Sequence, residues 1–166
     1  MSPNRLVPAV VAAALATCAT SPAFATDVKP CTLLKAGEVQ AVVGPGVGEG
    51  VAGFLEPTAT HSCEYKWTVK NFNPSLQVLV SDASKMYPGT DAATIKTGIL
   101  AVPRGSTVTV VPGVGEAAQY RAESPTNGTG LAYLKGKILT VVYRAPDAAA
   151  KKDQVIGLLK SAASRL

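Results

Sequence analysis

The residues able to do chemistry are few. His61 is the only histidine in the 166 residues, and the carboxylates that would pair with it are Glu64, three residues along, and Glu116, which follows Gly113 and Gly115 in a turn. An imidazole oriented by a carboxylate makes a general base, so His61 with Glu64 or Glu116 would suit a small hydrolase or transferase. Against that, a lone histidine at the start of a strand is more often a surface or hydrogen-bonding residue, and a single imidazole offers a metal little to bind. Glu116 is more simply read as ordering its turn through backbone N–H groups. No G-x-S-x-G nucleophile elbow occurs. The expectation is therefore no catalytic residue, no cofactor and no metal site.

Two short patterns are set aside for lack of context. Gly48-Glu49-Gly50-Val51-Ala52-Gly53 fits G-x-G-x-x-G, but the dinucleotide fingerprint needs a strand before it and a helix after it. Here a helical stretch precedes it and Pro57 follows. Asn127-Gly128-Thr129 fits the glycosylation pattern and is read as turn chemistry.

The cysteines say where the chain works. Met1 to Ala25 carries an early Arg5, an apolar run from Leu6 to Ala16 and the closing triplet Ala23-Phe24-Ala25, the pattern of a secretory signal peptide cut between Ala25 and Thr26. That run is too short to span a bilayer, which takes about 20 apolar residues, and no longer one follows. Leu15-Ala16-Thr17-Cys18 offers a second reading, a lipobox that would anchor the protein through Cys18. Thr17 stands where Gly, Ala or Ser is usual, so cleavage after Ala25 is preferred. Either way Cys31 and Cys63 remain, an even pair in an oxidising compartment, and a disulfide between them is expected. Residues 26–166 then form one exported domain.

The net charge of +5 raises the question of nucleic acid. The basic residues are scattered, only 16% of the chain is charged, and the tyrosines and single tryptophan form no interleaved basic stripe. Nucleic acid is not expected as a partner. An envelope protein or a small ligand is.

The elements follow from periodicity and turn chemistry. Cys31 to Gly44 reads as a short apolar helix capped by Thr32 and stopped by Gly44. His61 to Thr68 alternates strictly, with Cys63, Tyr65 and Trp67 on one face, and Ser75 to Ser81 alternates again after a turn at Asn71–Pro74. A helix is expected from Asp91 to Leu100, and strands at 107–111 and 117–122. Asn127-Gly128 reads as a turn, and strands at 130–134 and 137–144 flank Lys135-Gly136. Asp147 is expected to cap a final helix with Val155, Leu158, Leu159, Ala162 and Leu166 on its apolar stripe. Pro45-Gly46-Val47-Gly48-Glu49 recurs letter for letter as Pro112–Glu116, with similar elements after each copy. Either a βββα unit is duplicated or two glycine-proline turns coincide; the second is preferred.

Pro30-Cys31-Thr32-Leu33-Leu34 with Glu38-Val39, Cys63-x-Tyr65, the run Val111 to Ala118 and a closing strand and helix together resemble a family of small exported bacterial domains of unknown function. Its members are mostly small lipoproteins and secreted proteins, many of them actinobacterial. The resemblance spans nearly all of residues 29–166 and implies export, a paired cysteine and an α+β fold, with no catalytic residue to carry over. Lys29 stands where that family often has an acid, and Thr17 departs from its lipid-anchor motif. The expected fold is α+β: an antiparallel sheet of about five to seven strands with two or three helices mainly on one face. The expected function is a non-catalytic binding or interaction module of the bacterial envelope or exterior.

Overall fold

Alternating strands joined by tight turns build a meander, and a computed structural model describes two of them side by side over residues 28–166. The signal peptide at 1–25, the Ala25–Thr26 cleavage and Cys18 lie outside the described residues. The first meander is β1 (Val51–Leu55), β2 (Thr60–Lys66) and β3 (Ser75–Asp82). The second is β5 (Ala117–Ser124), β6 (Asn127–Leu134) and β7 (Lys137–Arg144), preceded by a short β4 (Thr107–Val110). All pair antiparallel in one seven-stranded sheet of order β1-β2-β3-β7-β6-β5-β4, so the meanders meet at β3–β7. With four α-helices, this is the α+β architecture with an antiparallel sheet.

Alternation sorts the side chains between two faces. Cys63 and Tyr65 from β2, Leu76, Val78 and Val80 from β3, and Leu139, Val141 and Tyr143 from β7 point to the first face. There they meet α1 (Ala36–Val43) and α4 (Lys152–Ala163), which bring Val39 and Val42, and Val155, Leu158, Leu159 and Ala162. Gly130 on β6 lets α4 approach closely, since a Cβ there would sit 3.2 Å from Leu159. The second face has a smaller cluster: Ala117, Tyr133 and Ile138 pack against Ala83 of α2 (Ala83–Met86) and Ile95 and Ile99 of α3 (Ala92–Leu100).

Local chemistry moved three boundaries. The segment expected as one helix from Cys31 splits into a 3-10 turn at Pro30–Thr32 and α1. Thr32 does not cap it; its hydroxyl donates to the Lys29 carbonyl. The helix starts at Lys35 instead because the Glu38 carboxylate reaches back to accept from the Lys35 N–H at 2.7 Å. Asp147 does not cap the last helix either. It accepts from the Tyr143 hydroxyl at 2.9 Å, and the chain enters α4 through a 3-10 turn at Ala148–Lys151. Asn127-Gly128 lies at the head of β6 rather than in a turn, because the β5–β6 ladder runs on past a bulge to pair Ser124 with Asn127. Lys135 and Gly136 do form the β6–β7 turn, with φ of 50° and 73°.

The repeated pentapeptide holds the same place in both meanders. The Gly48 N–H donates to Lys66 O at 3.1 Å, and the Glu116 N–H donates to Tyr133 O at 2.8 Å. Lys66 lies as far beyond Gly48 as Tyr133 lies beyond Gly115. Each copy thus turns the chain onto the end of the middle strand of its meander. The donors differ, the fourth residue of the pentapeptide in the first copy and the fifth in the second, and the turn geometry alone does not separate duplication from coincidence.

The two ends of the described chain are clamped together. Arg165 donates through Nη1 and Nη2 to the Glu38 carboxylate at 2.7 and 2.8 Å and through Nη1 to Leu33 O at 2.7 Å. The Arg165 guanidinium holds the Glu38 carboxyl down at about 2, against 4.5 for an ordinary glutamate. A depressed carboxylate contributes stability above its unfolded pKa and loses it as the pH falls through the folded one. Unfolding free energy is therefore expected to drop between pH 4.5 and 2. Glu38→Gln should flatten that slope and cost about 1 kcal/mol at pH 7, after allowing for solvent screening. Urea unfolding at a series of pH values checks both.

Candidate functional site

The second face of the sheet is only partly covered, and that leaves a cleft. Strands β6 and β7 contribute Leu131, Ile138 and Thr140 to its floor, and α3 with the residues leading to it supplies the roof. The sequence sets α3 there by capping both ends. Asp91 accepts from the N–H groups of Ala93 and Thr94 at 2.8 and 2.9 Å and from the Thr94 hydroxyl at 2.7 Å. These bonds, led by the Thr94 hydroxyl, hold its carboxyl below the usual aspartate range. At the other end, Arg121 Nη2 donates to Ile99 O at 3.0 Å and Gly98 O at 3.4 Å, and Gln119 Nε2 donates to Ala101 O at 3.4 Å. The helix is thereby tethered to β5 by two side chains pointing out of the sheet.

Between roof and floor lies a space of about 480 Å³. Met86, Tyr87, Ile95, Ile99, Leu131 and Ile138 make it apolar. Its polar side-chain groups are the Tyr87 hydroxyl, three threonines, Thr90, Thr94 and Thr140, and one charge among the described residues, Arg121. The Arg121 Nε is buried without a hydrogen-bond partner among the described residues, as is Gln119 Oε1 beside it on β5. Of three other hollows, those of about 430 Å³ beside the disulfide and about 550 Å³ beside Trp67 have more polar walls, and a smaller one of about 330 Å³, lined by Pro30, Ala52 and His61 among others, is apolar as well.

The residues singled out for acid–base work are not brought together. His61 and Glu64 lie on opposite faces of β2, as residues three apart on a strand must. His61 packs against Phe54, with ring centroids 4.6 Å apart and the rings tilted by 42°. Glu64 accepts from Gln77 at 3.0 Å and pairs with Lys66 at 2.9 Å. The Gln77 bond first, then Lys66, lower its pKa, so it stays an ionised carboxylate. Glu116 pairs with Lys96 at 3.2 Å. Three strands separate β2 from β5, which Glu116 leads into, a distance of about 19 Å at ordinary strand spacing. The G-x-G-x-x-G segment opens strand β1, not a helix. Cys31 and Cys63 are joined in a disulfide, Cα atoms 5.0 Å apart. Among the described residues no cluster of three His, Cys, Asp or Glu side chains has the geometry to hold a metal ion.

No protein-family model, curated protein or solved structure matches the chain. The cleft was not anticipated, and Arg121, Leu131 and Thr140 were not named for it. The signal was present in the second hairpin, where Leu131 to Leu134 and Ile138-Leu139 are apolar at consecutive positions. A strand exposed on one face alternates; one apolar on both faces must be covered on both.

Proposed function

We propose that the protein is a non-catalytic binding module of the bacterial envelope or exterior, and that the cleft beneath α3 is its ligand site. The observation that carries this is the cleft itself, whose volume falls in the range of small-molecule sites and whose apolar walls surround a few placed polar groups. The separation of His61 from Glu64 and Glu116 counts against the acid–base alternative. The disulfide suits an oxidising compartment, and among the described residues no helix is long and apolar enough to cross a membrane. Export by the signal peptide, with Cys18 as the alternative lipid anchor, fits the same address, as does the resemblance to small exported bacterial domains.

The test is a thermal-shift screen of the purified protein against small-molecule extracts of envelope, run beside labelling with serine- and cysteine-hydrolase probes. A ligand that raises the melting temperature of the parent but not of Thr140→Trp, which fills the cleft from its floor, supports the reading. Probe labelling that disappears in His61→Ala would overturn it in favour of a hydrolase.

A further inference from the structure

We infer that the cleft takes an amphiphile with an apolar chain and a single negatively charged head, a linear carboxylate being the simplest case, and that Arg121 recognises the head. This rests on the binding reading above and names the ligand class of that site. The walls decide the body of the ligand. Ile95, Ile99, Leu131 and Ile138 present no hydrogen-bonding group in their side chains, so a polar guest would lose its water without compensation there. The charge decides the head. Among the described residues Arg121 is the only ionic side chain lining the cleft, and it makes no salt bridge there.

The guanidinium is held in place but not used up. Its Nη2 caps the carbonyls of Gly98 and Ile99, which fixes the group at the end of α3, and its Nε has no partner among the described residues. Carbonyl oxygens carry only partial charge, so the cation remains formally unpaired in partly apolar surroundings. One cation compensates one negative charge, which favours a monoanion over a phosphate monoester carrying two. Nη1, which makes no hydrogen bond among the described residues, is the nitrogen left for a carboxylate oxygen to accept from. The hydroxyls of Thr90 and Thr140, which line the cleft, offer neutral donors without adding charge.

The experiment is calorimetric titration of the purified protein with dodecanoate and with dodecanol, both below their aggregation limits, for the parent, Arg121→Gln and Thr140→Trp. Dodecanoate is expected to bind one to one and about ten-fold or more tighter than dodecanol, the effect of a charge-assisted hydrogen bond. Arg121→Gln should bring dodecanoate down to the level of dodecanol while leaving dodecanol unchanged. Thr140→Trp, with Arg121 intact, should abolish both. Equal binding of the two probes by the parent, or an unchanged preference in Arg121→Gln, overturns the assignment of the head and leaves the binding module standing. Binding of neither probe overturns the ligand class, and the module reading then falls only if the extract screen also yields no Thr140-sensitive ligand. Because Arg121 also caps α3, circular dichroism of Arg121→Gln must match the parent. If the fold is lost, Arg121→Lys replaces it, keeping the charge but not the guanidinium nitrogens, and an undiminished preference for dodecanoate in that variant overturns guanidinium recognition.

Discussion

Reducing the Cys31–Cys63 bond lowers the melting temperature by roughly 10 to 15 °C. The bond joins residues 32 positions apart, and closing a loop of that length removes about 3 to 4 kcal/mol of chain entropy from the unfolded state. The native side has its own reason to need it. Cys31 sits in the 3-10 turn at Pro30–Thr32, and Cys63 is fully buried in the middle of β2. The bond therefore pins the segment that delivers Leu33, Leu34 and the eight-residue α1 to the core, and a helix that short does not stand by itself in water. Trp67 follows β2 and stacks on Tyr143, ring centroids 5.7 Å apart, so its fluorescence reports the loss. Cys31→Ser is the cleaner variant, because Cys31 is half-buried and its hydroxyl replacement reaches solvent. If Cys31→Ser melts with the parent, the bond is not structural.

Gly115→Ala costs about 2 to 4 kcal/mol, far more than the same change two residues earlier. Gly115 has φ of 55°, a conformation that strains any residue with a Cβ, and an added methyl would collide with Tyr133 O and the Leu134 side chain. The collision falls on the oxygen that accepts the Glu116 N–H, so relief by movement breaks that bond as well. Gly113 has φ of 76° and open space within 4 Å of where a methyl would sit, so Gly113→Ala bears only the backbone strain, about 1 kcal/mol. At the matching position of the first copy, a Cβ on Gly48 lies 3.6 Å from Lys66 O, ordinary contact, and Gly48→Ala should be near neutral. Urea midpoints of the three variants give the ranking. Equal costs at 113 and 115 would remove the close approach as the reason for that glycine.

Much of the sheet could be read from local pattern. Cys63 and Tyr65 alternate with polar residues because their strand buries one face, and the Lys135-Gly136 pair announces its hairpin because few other residues accept positive φ twice in succession. What escaped was set by contacts distant in sequence. Thr32 is a good cap by type, yet the Lys35 N–H is claimed by Glu38, itself fixed by Arg165 at the other end of the chain. Asp147 likewise serves Tyr143, a buried residue of β7, and not its own helix. The cleft is harder still. Arg121 belongs to a strand whose neighbours on the sheet do not reveal it, and only the placement of α3 over β5 and β6 turns a basic strand residue into a helix cap beside a cavity. The acid–base pairing failed for the opposite reason: proximity along a strand says nothing of proximity in space when the side chains alternate.

The seam between the meanders also sets the order in which the molecule can be built. β3 pairs with β7 from Ser75 against Arg144 to Asp82 against Lys137, whereas each meander closes through neighbouring hairpins. Nearby strands find each other before distant ones, because a long loop loses more entropy on closing. A chain made from its N-terminus thus completes β1–β3 while β7 is still to come, and the outer edge of β3 waits unpaired above the apolar row of Leu76, Val78 and Val80. Where many such chains fold close together, the β7 of another chain competes for that edge. The by-product to look for is an exchanged dimer, with each meander native and the seam, together with the Glu38–Arg165 clamp, shared between two molecules.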